Sequence, residues 1–145
     1  MKIAAYQGPS PQGDPSHAFA KIDEILAEAA KQGAQMVVFP ELYLLGYNQM
    51  HRHTELAQPV GDDWEIRCAA LAQKHKCGLT IGWAERDGET LFNSASTFDA
   101  SGIKLGHYRK IQLWGPNEQS VFAFGDSYTT FPLYGVKTAI LICYD

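Results

Sequence analysis

Residues 2–39 read as strand, helix and strand in close succession, and few architectures accommodate that order. Lys2-Ile3-Ala4-Ala5-Tyr6 has the length of a short strand, and the loop Gly8-Pro9-Ser10-Pro11-Gln12-Gly13 ends it. Asp14 stands where an N-cap belongs, with Pro15 at the first helical position, where a missing N–H costs nothing. Phe19, Ile22, Leu26 and Ala29 recur at helical spacing, Ile25 and Ala30 widen the stripe, and Gly33 supplies a stop. Met36-Val37-Val38-Phe39 is then almost wholly apolar, the pattern of a strand in a sheet covered on both faces. The chain therefore opens as a layered α/β unit.

The rest of the chain extends that layer. Residues 42–60 are rich in Tyr, His and Asn without a clear period, which predicts a loop with one short helical turn. A second helix is expected from Gly61-Asp62-Asp63, burying Trp64, Cys68, Leu71 and Ala72 and ending at Gly78. Leu79–Ala84 and Leu91–Phe98 read as strands, with Asp87-Gly88 as the hairpin signal between them. Asp99-Ala100-Ser101-Gly102 turns the chain into a strand over Lys104–Tyr108. After a long loop, 109–127, Tyr128–Phe131 reads as a strand. Gly135–Ile142 reads as a final buried strand that delivers Cys143 to its end. Helices alternating with strands, then hairpins, indicate a mixed sheet.

Composition narrows the function classes. The 145 residues fit one ordinary domain. A hydrophobic fraction of 46% with 19% charged residues excludes a disordered chain. The formal net charge is −4 and the basic residues are scattered, so no nucleic-acid or acidic-membrane surface is expected. Three cysteines form neither a CxxC pair nor an even disulfide set. The N-terminus lacks the apolar run of a signal peptide, and no stretch approaches the ~20 apolar residues that span a bilayer. A cytoplasmic protein with reduced thiols is the expectation.

Three reactive side chains stand just past strands: Glu41, Lys110 and Cys143. Strand ends are where sites assemble in open α/β sheets, since the scaffold is rigid and the side chain projects beyond it. A carboxylate that takes a thiol proton, a thiolate that attacks carbon and an ammonium that stabilises negative charge form an acyl-transfer set. Each residue also has an ordinary reading. A lone cysteine ending an apolar strand is more often core filler, a lone glutamate a solvated turn residue, and Lys110 beside Arg109 plain surface charge. Spacing leaves both readings open. His51 and His53, two apart, lack further ligands for a metal and read as loop polarity. His75 reads as charge at a helix C-terminus, His107 as structural, and Cys68 and Cys77 as packing.

Phe39-Pro40-Glu41-Leu42, Tyr108-Arg109-Lys110 and Ile142-Cys143-Tyr144-Asp145 occur in an order that resembles the carbon–nitrogen hydrolase (nitrilase) superfamily. Ile3–Gln7, Asn93-Ser94-Ala95 and Phe122–Asp126 support the likeness, which covers essentially all 145 residues. The resemblance implies an α-β-β-α sandwich, of which this is an N-terminal half: a mixed sheet with helices on one side. It implies Glu41 as general base, Lys110 as oxyanion-stabilising ammonium and Cys143 as nucleophile. It also implies the Tyr144 backbone N–H as second oxyanion donor and Glu118 as a glutamate that positions substrate and lysine. Tyr47 and Trp114, together with Tyr43, follow the catalytic candidates in the chain and are candidate pocket residues, with plain core packing as the alternative reading. No metal or organic cofactor is implied, and a homo-oligomer is.

The run His107–Glu118 looks more like carboxamide amidases than true nitrilases, and Tyr144 stands where nitrilases more often have tryptophan. Hydrolysis of a small carboxamide is therefore the first expectation, with nitrile and N-carbamoyl hydrolysis as alternatives. A nitrilase-type domain is close to twice this length, so a domain cut short on its C-terminal side, and with it a non-catalytic fragment or interaction module, is the rival expectation. A polypeptide ending at Asp145 is expected to be poorly soluble and inactive, with the terminal negative charges raising the Cys143 pKa.

Overall fold

Five strands form one mixed sheet in simple chain order, and this order places the three motif segments near one another. In the computed structural model, which describes residues 1–145, the elements are β1 (Ile3–Ala5), α1 (Pro15–Lys31), β2 (Met36–Val38), α2 (Met50–Leu56), α3 (Asp63–His75), β3 (Gly78–Asp87), β4 (Thr90–Phe98), β5 (Lys104–Arg109), α4 (Gly115–Gln119), β6 (Thr130–Leu133) and β7 (Val136–Ala139). The sheet order is β1-β2-β3-β4-β5, parallel as far as β3 and antiparallel beyond it. Strands β6 and β7 pair only with each other, as a separate hairpin.

The pleat sorts side chains between two layers. Leu79, Ile81 and Trp83 of β3 alternate onto one face and meet Phe19, Ile22 and Leu26 of α1 and Trp64, Cys68 and Ala72 of α3. Each fully buried Leu or Ile there stabilises the fold by roughly 1.5–3 kcal/mol. On the opposite face Met36, Ala95 and Tyr108 pack against Phe131, Leu133, Ile140 and Ile142. Helices α1 and α3 thus cover one side and the β6–β7 segment part of the other. Helix α1 begins as its sequence dictates: the Asp14 carboxylate accepts from the Ser16 and His17 N–H groups at 2.8 and 3.2 Å. No helix is long and apolar enough to cross a membrane.

Several local expectations need correction. Helix α3 is closed by Lys76 in the left-handed region (φ 51°), not by Gly78, which opens β3. The β3–β4 turn is centred one residue later than the Asp87-Gly88 signal, since Asp87 pairs with Thr90 and Gly88 takes φ 60°. Residues 109–127 contain α4. The final strand is short: only Val136–Ala139 is strand, three of its four side chains are exposed, and burial begins beyond it at Ile140 and Ile142. An apolar run reports burial but not which layer supplies it. Here the β6–β7 hairpin packs through Phe131 and Leu133 of β6, and irregular chain carries the buried residues to Cys143.

The histidines also separate. His107 is structural: its Nδ1 lies 3.0 Å from Ser96 Oγ and its Nε2 2.8 Å from Glu85 Oε2. Glu85 is fully buried; burial alone would raise its pKa, but hydrogen bonds from His107, Arg109 and Ser94 hold it near 2. His75 reaches across to Asp23 at 2.5 Å, so its partner is a carboxylate of α1 as well as its own helix end. His53 is not loop polarity. It sits on α2, fully buried, with its Nε2 3.1 Å from the Gly46 carbonyl.

Burial lowers the His53 pKa from 6.5 to about 4, with the Gly46 carbonyl opposing the shift. The unfolded chain takes a proton near 6.5 while the native chain resists until about 4. The stability this group contributes is therefore complete above 6.5 and is lost as pH falls to 4. Unfolding free energy should drop by roughly 3 kcal/mol across that window, and His53→Phe should flatten the slope. Urea titrations at neutral and acidic pH check this; an unchanged slope in the variant would assign the acid sensitivity to other groups.

Candidate active site

Glu41 leaves β2 through Phe39-Pro40, and the turn it occupies is held tightly. Leu42, next in the chain, is buried with φ 50°, an uncommon conformation for a non-glycine residue. The turn rests on β3, where the Phe39 N–H donates to the Thr80 carbonyl and the Leu44 N–H to the Gly82 carbonyl. Lys110 follows β5 directly, and its N–H donates to the Asn93 carbonyl at 2.8 Å. These two rigid supports bring a carboxylate and an ammonium together from residues 69 apart.

Lys110 Nζ donates to Glu41 Oε1 at 2.5 Å and to both oxygens of Glu118 at 3.0 Å. Lys110 and Glu118 are fully buried, and Glu41 is 15% exposed. Burial alone would lower the lysine pKa, but the two carboxylates raise it, so the ammonium is held charged. Asn93 Nδ2 also donates to Glu41 Oε1, at 2.7 Å. Both donors land on one oxygen, which leaves Oε2 free of them. Glu118 is held in turn by the Tyr47 hydroxyl at 2.6 Å and the Trp114 backbone N–H at 2.9 Å.

Cys143 and Glu41 line one cleft of about 120 Å³, whose other walls include Val38, Thr80, Ala95 and Ile142. Cys143 stands four residues beyond β7, not at a strand end, and itself takes φ 49°. Although Cys143 is exposed, its thiol pKa is raised, first by partial desolvation in the cleft and then by the charge of Glu41; Lys110 pulls the other way. The resting group is a neutral thiol beside a carboxylate. The Tyr144 backbone N–H makes no hydrogen bond within the chain, and its side chain is exposed.

Not every candidate reaches the cleft. The Trp114 indole is 59% exposed, so this residue contributes its main chain to Glu118 rather than a pocket wall. Tyr47 acts on Glu118. Tyr43 is buried among Tyr6 and Phe39 as aromatic core.

Sequence reasoning missed the part played by Asp145. Its carboxylate accepts from Tyr108 OH (2.9 Å), Ile142 N (2.9 Å), Ile111 N (3.1 Å) and Gln112 N (2.8 Å). It ties the Cys143 turn to the segment after Lys110. The thiol is raised in the expected direction, but by burial, Glu41 and Glu118 rather than by Asp145, whose charge is spent on these donors. Only a carboxylate spaced two residues from the cysteine marks it in sequence, and three of its four partners are tertiary.

The chain matches the carbon–nitrogen hydrolase family over residues 2–145. It is 37% identical to a nitrilase of Pyrococcus abyssi over 151 residues, covering 100% of this chain and 56% of that protein. It is 33% identical to an (R)-stereoselective amidase of a Pseudomonas species over 146 residues, covering 100% of this chain and 52% of that protein. An amidase from a Nesterenkonia species superposes with a TM-score of 0.92 at 29% identity, over 99% of this chain and 56% of that one. A variant of the same amidase shows Michael addition of acrylamide at its active-site cysteine. The chain spans about half the length of the relatives it matches. With the fold, the motif order and this match in agreement, the chain belongs to the carbon–nitrogen hydrolase family.

Proposed function

We propose that the protein hydrolyses a small carboxamide to its acid and ammonia through a thioester on Cys143. The observation that carries this reading is the fully buried Lys110, bracketed by Glu41 and Glu118, with Glu41 in turn lining the cleft that Cys143 lines. A buried lysine held charged by two carboxylates is costly to assemble for stability alone, whereas it suits developing negative charge.

In the proposed first step, Glu41 Oε2 takes the thiol proton as sulfur attacks the carbonyl carbon. The carbonyl oxygen becomes an oxyanion facing Lys110 Nζ and the Tyr144 N–H. The oxyanion collapses, the carbon–nitrogen bond breaks, and Glu41 returns the proton to the departing nitrogen, which leaves as ammonia. Water then enters, Glu41 takes one of its protons, and hydroxide adds to the thioester carbon. Collapse releases the acid and a thiolate, which recovers its proton from Glu41. The raised thiol pKa fits this order, because the proton leaves sulfur only as the bond to carbon forms. Glu118, held by Tyr47 and Trp114, fixes the lysine.

The Pyrococcus relative favours a second reading, nitrile hydrolysis, with the same thiolate adding to a nitrile carbon. Ammonia release from short aliphatic carboxamides, matched nitriles and N-carbamoyl amines decides between them. Carboxamides should turn over at least tenfold faster than the matched nitriles, and the reverse order would replace the amidase reading by the nitrilase one. We further propose a cytoplasmic protein, which the three unpaired cysteines favour, and a homo-oligomer, which the family resemblance favours.

A further inference from the structure

Helix α2 belongs to none of the motif segments, yet it carries the most unusual polar group outside the cleft. His53 is fully buried, and its Nδ1 has no hydrogen-bond partner. The only group that satisfies the ring is the Gly46 carbonyl, 3.1 Å from Nε2, so the proton resides on Nε2 and the ring donates. A buried acceptor left unpaired is unfavourable, and an apolar side chain would avoid it. The donor to Gly46 is what the imidazole provides.

That bond has a definite address. Gly46 immediately precedes Tyr47, whose hydroxyl donates to Glu118 Oε1 at 2.6 Å. The other face of the site is also in reach: the His53 ring packs on the Phe122 ring with centroids 5.6 Å apart, and the Phe122 N–H donates to the Glu118 carbonyl at 2.8 Å. One side chain thus grips both segments whose meeting is the Tyr47–Glu118 bond. We infer that His53 is a positioning residue of the site, setting the Tyr47 hydroxyl on Glu118 and through it the grip of Glu118 on Lys110. The inference rests on the amidase reading for its kinetic consequence, but not for its geometry. His51, on the same helix, is the one charged or titratable neighbour that acts on the ring, and burial keeps His53 neutral at physiological pH.

The expected effect has a sign. Tyr47 donates to Glu118 and damps its negative charge, and Glu118 raises the Cys143 pKa. Losing that donor should push the thiol higher still, by roughly half a pH unit if the bond has ordinary strength. His53→Phe keeps a ring against Phe122 and removes both nitrogens, while His53→Gln keeps an amide donor for the Gly46 carbonyl. The full-length protein and its variants are alkylated with iodoacetamide across a pH series, and modification of Cys143 is followed by mass spectrometry. In His53→Phe the alkylation profile should move to higher pH by the same amount as in Tyr47→Phe, and the double variant should move no further. His53→Gln should return the profile toward that of the unsubstituted protein. With an amide substrate, kcat should fall about tenfold in both single variants while KM changes less than threefold.

An unshifted profile in a folded His53→Phe variant, or shifts that add in the double variant, would overturn the positioning role. If His53→Phe does not fold, the comparison of His53→Gln with Tyr47→Phe decides: a Gln profile as displaced as that of Tyr47→Phe rejects the donor role. Alkylation needs no turnover, so a protein inactive on amides would sink the amidase reading and leave this result standing.

Discussion

Lys110→Met should abolish measurable amide turnover and also weaken the fold, and the two losses should respond differently to pH. The ammonium is the only cation touching Glu41 and Glu118, and it is fully buried between them. Its removal takes away the proposed oxyanion donor, a loss of about 10²–10³ in kcat. It also leaves a buried carboxylate at Glu118 and a second one nearby without a counter-charge, a penalty of about 3–5 kcal/mol for a broken buried pair. Without the lysine two carboxylates face each other in a buried site with no counter-charge, and protonating them removes that cost. The variant's stability deficit should therefore shrink as pH is lowered and the carboxyls protonate, while activity does not return. Denaturant titrations at neutral pH and near pH 4 measure the first effect and ammonia release the second. A deficit that stays constant with pH would mean that packing, not charge, is what the lysine supplies.

Gly82→Ala should be nearly as damaging to catalysis, although the residue carries no functional group. A Cβ at position 82 would lie 2.5 Å from Leu42 N, 2.7 Å from Pro40 O and 2.9 Å from Glu41 Cα. All three are main-chain atoms of the turn that carries Glu41, the proposed base, so the turn itself must move. A displacement of ~1 Å at a reacting group costs on the order of 10²-fold in rate. Gly33→Ala provides the contrast. Gly33 has φ 78° but open space around it, so its substitution should cost on the order of 1 kcal/mol of stability and leave kcat unchanged. A Gly82→Ala protein with full kcat would show that the Glu41 turn tolerates displacement, and the tight seating seen here would then be incidental to activity.

What the sequence made readable was local. Asp14, Pro15 and the stripe Phe19, Ile22, Leu26 and Ala29 specify α1 within its own 17 residues and the cap before them, and all four stripe residues are buried. Glu41, Lys110 and Cys143 could be singled out because motif order carried them. What stayed hidden depends on contacts far apart in the chain. The run 135–142 has the apolar content of a core strand, but nothing in it says that β7 pairs only with β6 and that burial starts at Ile140. Residues 42–60 lack a period because α2 is two turns long and buries a histidine, a residue type that hydropathy assigns to the surface. Asp145 lies next to a recognised motif, yet its four donors come from segments 3 to 37 residues away. The corresponding physical reason is general: helices are fixed by near neighbours, whereas a polar clamp is fixed by where loops meet.

The most direct test of the proposed chemistry is the rate of ammonia release from a short aliphatic carboxamide by full-length protein carrying Cys143→Ala, beside the unsubstituted protein. Removing a nucleophile whose partners act as a unit should lower kcat by at least about 10⁴-fold, with the fold intact because the Cys143 side chain is exposed. Undiminished ammonia release from the alanine variant would contradict the assignment of Cys143 and, with it, the thioester route.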